Sequence, residues 1–530
     1  MAEISAESTA RVVIRKAPSE LLLWVIPVVL ALLFALWALR GVSSSSIADD
    51  DAPRHALNGA FVFDLVRHAK VAHPVQFGFW YYSRLPALSL PYHPPVFPAF
   101  EALIYSLAGV NEFAARMAVA IATFAAVMLL YRLVLRSHSS PALALIVTVS
   151  FFVLPRIQRL SATVMLEVPA LVFVLAALFF VTPEDDAFLT PRSLCFAFFA
   201  AAAIWTKQTV FLFVLPFVYV IVSAKWGLLR TPRFWMTTFL IAASAVGLAL
   251  LGRELNWNSI NQSWAKLGAL QQVLQNSAYY LRWRIVLGLI LIALSPLTYR
   301  LRGGREDYLK DRLYIAWFVA VTLILLVSPA YSYRYLFFGF APFLVLFYSG
   351  LFRISRRFAP QYTWVAPAAV CCAIFGYGLT VRPYELHGPS EAAKVLHDAG
   401  HRRILFCGAS ANGAFIFAIR RYDPAFNTIV VRGDKLAANT FTPEQLSNLI
   451  QRYGLDSVVL EHSSYVQPWD ALSAESLPFL SPESVVSVSD TDHTHDATLF
   501  LYRVKDPTTV PESSLRVPIS VLGRDVDLRF

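Results

Sequence analysis

The chain has 530 residues, 57% of them apolar and 15% charged, with a mean hydropathy of +0.55. That balance exceeds what a water-soluble core needs and excludes an ordinary soluble enzyme, so the chain reads as a polytopic membrane protein. Its net charge of +10 falls in clusters between hydrophobic runs, which membrane topology explains, and no nucleic-acid partner is expected.

The first apolar run, Leu21 to Leu39, follows Arg11, Arg15 and Lys16. It is too long for the core of a signal peptide, so it reads as a retained first span with residues 1–20 in the cytoplasm. Runs of span length then recur near 117–135, 141–155, 165–181, 193–206, 208–223, 235–251, 285–298, 313–329, 335–352 and 362–380, which makes about eleven spans in all. The segments expected on the inner side are basic, including Arg132 and Arg136, Arg230 and Arg233, and Arg353, Arg356 and Arg357, as the positive-inside rule requires. Val96 to Val110 is apolar but short and broken by Pro98 and Glu101; it reads as an interfacial or re-entrant helix within a first outer loop of residues 40–116. Asp64 and Glu101 read as members of solvated faces.

From residue 382 the pattern changes. Arg403 to Cys407, Thr428 to Val431, Asp456 to Glu461, Ser484 to Val488 and Ala497 to Val504 read as strands, with helices over Ala411 to Arg421 and Pro443 to Arg452. The expected fold class is therefore a polytopic α-helical membrane region, 21–381, followed by a small extracytoplasmic α/β domain, 382–505, and a tail, 506–530. The turn Gly408 to Gly413 lacks the glycine spacing of a dinucleotide site and reads as punctuation between strand and helix. Four cysteines show neither a disulfide framework nor zinc spacing.

Charged residues recur beside the apolar runs: Asp49, Asp50 and Asp51 with Arg54, then His93, Arg116, Glu167, Lys207, and Arg334 with Tyr335. A charge near the bilayer is costly unless it faces a cavity, so each is a functional candidate. Together they hold what transfer from a lipid phosphate needs: a carboxylate to take a proton from an incoming hydroxyl, and cations to hold the phosphate as it leaves.

Six segments in order carry a family resemblance: the acids after the first span, Tyr92-His93-Pro94-Pro95, Val110-Asn111-Glu112-Phe113-Ala114-Ala115-Arg116, Met165-Leu166-Glu167-Val168-Pro169, Trp205-Thr206-Lys207-Gln208, and Tyr333-Arg334-Tyr335. In these the chain resembles the GT-C superfamily of membrane glycosyltransferases, of the protein O-mannosyltransferase and lipid A aminoarabinose transferase type. The resemblance implies an inverting enzyme of a bacterial inner membrane that moves a sugar from a polyprenyl-phosphate donor to an acceptor hydroxyl on a lipid, glycan or protein. It implies Asp50 as the base with Asp51 beside it. Asp-Asp-Asp stands where the family more often has Asp-Glu, however, and a slip of one residue makes Asp51 the base. Glu167 would be a second acid, Lys207 and Arg334 would bind phosphate, and Tyr335 would line the site. The family leaves metal dependence open, so no metal ligand is assigned, although a divalent ion fits the chemistry.

Each residue also has a plainer reading. The acids can cap a helix, Glu167 can pair with Arg156 or Arg159, Lys207 can snorkel, Arg334 can anchor a span end, His93 can fix the turn before two prolines, and Arg116 can pair with an acid or a lipid phosphate. A secondary transporter is the alternative function; it predicts repeats and mid-membrane charges, neither of which the sequence displays.

Overall fold

A computed structural model describes residues 24–42, 46–49, 51–90, 92–180, 190–210, 226–254, 269–280, 299, 304–327, 333–436, 441–464, 466–470, 472, 477–494, 496–505, 512–519 and 524–529. The described residues are mostly helical up to 379 and are followed by a C-terminal sheet. Fourteen helices fall in the first part among the described residues: α1 (Ile26–Ala38), α2 (Ala52–Arg67), α3 (Pro74–Arg84), α4 (Val96–Ala108), α5 (Glu112–His138), α6 (Pro141–Val153), α7 (Pro155–Ala162), α8 (Glu167–Phe180), α9 (Arg192–Ile204), α10 (Pro232–Glu254), α11 (Ala269–Tyr280), α12 (Gly304–Val327), α13 (Phe337–Phe358) and α14 (Val365–Leu379).

Helix α5 is the centre of this bundle, packing on α1, α4, α6, α7 and α8. Local chemistry fixes both its ends. The Asn111 side chain accepts the Ala114 N–H at its start, while Arg136 and His138 sit in its last turn, where a cation favours the helix dipole. Ser140 caps α6 in the same way through Leu143. Pro155 then ends that helix, because a proline cannot continue the hydrogen-bond ladder, and α7 leaves α6 at 68°.

Among the described residues four helices are long and apolar enough to cross a membrane, Glu112–His138, Pro232–Leu251, Arg334–Phe358 and Pro360–Leu379, and the bent pair α6 and α7 makes a fifth. Helices α1, α8 and α9 are apolar but shorter. Of the eleven expected spans, 285–298 and most of 208–223 lie outside the described residues. The segment from Val96 is a helix of 13 residues, α4, packed on α2.

The C-terminal region contains β1 (Leu386–His387), α15 (Pro389–Asp398), β2 (Arg403–Cys407), α16 (Asn412–Tyr422), β3 (Ile429–Arg432), α17 (Pro443–Tyr453), β4 (Ser457–Ser463), β5 (Leu480–Asp490) and β6 (Ala497–Val504). These strands form one sheet in the order β1-β5-β6-β4-β2-β3, parallel across β3, β2 and β4 and antiparallel elsewhere. Beyond it β7 (Ser514–Ile519) and β8 (Arg524–Arg529) pair as a hairpin, where the sequence offered no element.

Two expectations about the outer loop are corrected. Asp64 is not on a solvated face: it is fully buried, and its two carboxylate oxygens accept from Arg420 of α16 at 2.5 and 2.8 Å, with Tyr81 also donating. Glu101 is likewise fully buried, against Gly59 of α2, whose missing side chain lets the helices approach. The α2 and α4 faces that a lone amphipathic loop would give to water are instead covered by each other and by the sheet region.

Candidate active site at the helix ends

The site forms where several helices end together. Asp51 is the residue before α2, His93 lies in the loop before α4, Glu167 opens α8, Lys207 follows α9, and Arg334 stands in a short 3-10 turn leading into α13. Backbone bonds hold these ends in place: the Val96 N–H donates to the Trp205 carbonyl at 3.2 Å, and the Lys207 N–H donates to Ala203 at 2.9 Å.

Asp51 occupies the N-cap position of α2, yet its carboxylate makes no capping bond. It accepts instead from Arg334 at 2.8 Å, while the Asp51 N–H donates to the side chain of Asp49 at 3.2 Å. A helix cap contributes about 1 kcal/mol, so the ion pair takes the carboxylate away from a local bond that the sequence makes available. Asp49 has a φ of 85°, a left-handed conformation that Asp tolerates better than most residues.

Arg334 reaches from Asp51 toward Glu167, whose Oε1 lies 3.9 Å from its Nε. Glu167 is fully buried and takes its closest ion pair from the Lys207 ammonium at 3.1 Å. A carboxylate at the first residue of α8 also sits at the positive end of that helix. Two acids and two cations thus alternate along one chain, Asp51, Arg334, Glu167 and Lys207, with the Tyr335 ring 6.0 Å from the Arg334 guanidinium.

His93 packs edge-on against His55, ring centres 4.3 Å apart, and Tyr92 against His93 at 4.8 Å. Burial, with Lys207 and Arg334 nearby, pushes the His93 imidazole down to about 3 against the pull of Asp51. His55 is also pushed well down, first by burial and then by the surrounding positive groups. Both rings are neutral at ordinary pH. At Asp51 burial acts to raise the carboxyl, but the Arg334 guanidinium, together with His93 and Arg54, outweighs it and holds the group below its usual range.

The structure brings together Asp51, His93, Glu167, Lys207, Arg334 and Tyr335 of the residues singled out in the sequence. Arg54 lies at the rim, donating to Asn412 of α16 at 3.4 Å. Arg116 is engaged elsewhere, donating to the Ser46 carbonyl at 2.6 Å with Glu112 and Glu385 near it. Asp50 lies outside the described residues. Glu167 pairs with Lys207 rather than with Arg159, which is bonded to Asp492. His55, Tyr92 and Arg156 belong to the same neighbourhood; the sequence alone assigned them no role in the site, although His55 follows the acids at helical spacing and Arg156 is a candidate partner for Glu167. No group of three or more His, Cys, Asp or Glu side chains able to hold a metal ion occurs among the described residues.

Residues 92–251 match the family described as dolichyl-phosphate-mannose-protein mannosyltransferase. The chain resembles the GT-C membrane glycosyltransferases. The matched segment contains His93, Arg116, Glu167 and Lys207, and it ends before Arg334. Two crystal structures of ArnT from Cupriavidus metallidurans are also similar. The form bound to undecaprenyl phosphate has 12% identity and a TM-score of 0.44, with 91% of this chain and 98% of that chain covered. The apo form has 14% identity and a TM-score of 0.44, with 90% and 97% covered. No curated protein matches the chain.

Proposed function

We propose that the protein is an inverting glycosyltransferase that takes a sugar from a polyprenyl-phosphate donor and places it on an acceptor hydroxyl. The observation that carries this reading is the alternation of Asp51, Arg334, Glu167 and Lys207 over successive contacts of 2.8, 3.9 and 3.1 Å. Such a site offers a base beside two cations. The match of residues 92–251 to a family that uses a lipid-phosphate sugar supports the donor class.

In this mechanism Lys207 and Arg334 hold the donor phosphate. The acceptor oxygen attacks the anomeric carbon from the face opposite the phosphate, and its proton passes to the Asp51 carboxylate. The bond from that carbon to the phosphate oxygen breaks, and the electron pair leaves with the polyprenyl phosphate. Arg334 links the two halves of the step. While it is paired with Asp51 it keeps that carboxylate a weak base; a donor phosphate that draws the guanidinium toward itself restores the basicity. Neutral His93 and His55 then serve as packing and hydrogen-bonding walls. The tight packing of helix ends around the reacting atoms limits water and wasteful hydrolysis.

Residues 21–381 are assigned as the catalytic membrane unit and 382–505 as an extracytoplasmic α/β domain over the site, with the N-terminus in the cytoplasm of a bacterial inner membrane. Contact of Arg54 with Asn412 supports placing the sheet region beside the acids. The test is release of free polyprenyl phosphate from a panel of polyprenyl-phosphate sugars by the protein in liposomes, with membrane extract as acceptor. Loss on Asp51→Asn with retention on Asp50→Asn supports the assignment. The reverse result moves the base to Asp50, and absence of release by folded wild type beside an active control transferase rejects the enzyme reading.

A further inference from the structure

A second cationic pocket lies beside α7, lined by residues other than those of the site above. It opens between the ends of α1 and α14 and is lined by Trp37, Arg40, Gln158, Arg159, Arg382 and Tyr384, among others; its enclosed volume is about 10 Å³ and the rest of it is open to solvent. Arg156 faces the Glu167 and Arg334 side, while Arg159, three residues on, stacks 4.4 Å over the Tyr384 ring.

The pocket wall is built rather than incidental. Gln158 Oε1 accepts from the Trp37 indole at 2.9 Å and from Arg40 at 3.3 Å, and its amide nitrogen donates to the carbonyls of Val153 and Gly378 at 2.7 and 2.9 Å. One buried side chain thereby ties α1, the bend between α6 and α7, and the end of α14. Gly378 is required there, since a Cβ would strike the Val153 carbonyl oxygen. The Arg40 guanidinium lies 3.9 Å over the Trp37 ring. Arg159 is paired with Asp492, and Glu385 lies against Gly41 nearby. Neither Arg40 nor Arg382 has a carboxylate partner among the described residues.

The surroundings indicate the kind of anion. Leu32 and Leu36 on α1, and Phe375 and Leu379 on α14, are large apolar side chains exposed on the outer faces of the two helices that flank the pocket. Those helices are apolar and end at the pocket, so it sits where acyl chains give way to headgroups, with a Trp and arginines at the boundary. Guanidinium groups suit the planar, two-point recognition of phosphate oxygens. We propose that this pocket binds the phosphate of a phospholipid headgroup through Arg40, Arg159 and Arg382, with the acyl chains lying along the exposed faces of α1 and α14. The site is separate from the one assigned to the sugar donor and does not depend on the transferase reading. An occupied pocket braces α7, which also carries Arg156 near Glu167.

The test uses the full-length protein in non-ionic detergent, titrated calorimetrically with dioctanoyl phosphatidic acid, with dioctanoylglycerol and with inorganic phosphate. The variants are Arg40→Gln with Arg382→Gln together, Arg382→Gln alone, and Arg356→Gln with Arg357→Gln at the far end of α13 as control. Arg382 makes no hydrogen bond or ion pair among the described residues, so its single variant separates binding from folding. Expected is saturable binding of phosphatidic acid, little of dioctanoylglycerol, and affinity weakened about tenfold or more in the double variant and severalfold in Arg382→Gln, with the control unchanged. Equal affinity for inorganic phosphate would show a free anion rather than a lipid to be the occupant. Absence of phosphatidic acid binding, or the same loss in the control, overturns the site.

Discussion

Arg334 contacts Asp51 at 2.8 Å and lies 3.9 Å from Glu167, so one guanidinium spans the carboxylate before α2 and the carboxylate that opens α8. It is the hinge of the proposed chemistry, because any group that attracts Arg334 changes the charge felt by both acids.

Removing Arg334 therefore has a consequence beyond lost phosphate contact. With the guanidinium present the folded Asp51 carboxyl lies below its ordinary range, so it stays ionised until the pH falls below that range. In Arg334→Gln, burial acts without its main opponent and the carboxyl rises. The acid limb of kcat/KM for sugar transfer is expected to move to higher pH in this variant, and a limb left in place would argue against Asp51 as the base.

Lys207 and Glu167 are expected to fail differently. Lys207→Ala removes a phosphate contact and should lower turnover about a hundredfold, while also leaving Glu167 buried with a weakened partner set. Glu167→Gln keeps the shape and releases Lys207 to the donor phosphate, so kcat should fall while the donor KM changes little. Measuring KM and kcat separately for donor and acceptor checks the split; identical effects of both substitutions on both constants would contradict it.

The histidine pair sets an acid sensitivity. His93 is held near 3 in the fold against 6.5 in an unfolded chain, so the unfolded state binds the proton first. Its contribution to stability is complete above about pH 6.5 and is lost as the pH falls toward 3. His55 acts in the same direction. The melting temperature of His93→Gln should consequently fall less than that of wild type between pH 6.5 and 4. Parallel curves would mean that His93 is already protonated in the fold.

Asp64 and Arg420 fasten the outer-loop helix α2 to α16 of the sheet region. Both side chains are nearly inaccessible, at 0% and 2%. Breaking such a pair leaves one buried charge unmatched and costs about 3 to 5 kcal/mol. Asp64→Ala is expected to lower the melting temperature and expose the segment after residue 382 to proteolysis. Replacing both with apolar residues, Asp64→Leu with Arg420→Met, should recover most of the loss, because the desolvation of both charges disappears with their attraction.

Much of this organisation was legible in the sequence wherever it rests on local periodicity. The alternation of strands and helices after residue 382 was readable because each element carries its own pattern: the strand over Ala497–Val504 and the helix from Pro443 lie where that pattern sets them. The hairpin of β7 and β8 was not, since two short strands gain their meaning only from pairing with each other. In the site, Glu167, Lys207 and Arg334 stood out because each is a charge beside an apolar run, whereas His55 and Tyr92 did not, because they acquire their place by packing on His93.

By itself the sequence determined the membrane class, the order of apolar helices and the charged residues at their ends, because the cost of placing charge near hydrocarbon is paid residue by residue along the chain. Only the tertiary structure decided which of those ends meet. It turned Asp51 from a helix cap to Arg334, left Arg116 bonded to the Ser46 carbonyl outside the cluster, and buried Asp64 on Arg420. These outcomes depend on contacts between segments from 70 to 356 residues apart, where the winner between a local bond and a distant charge is set by packing that no local pattern records.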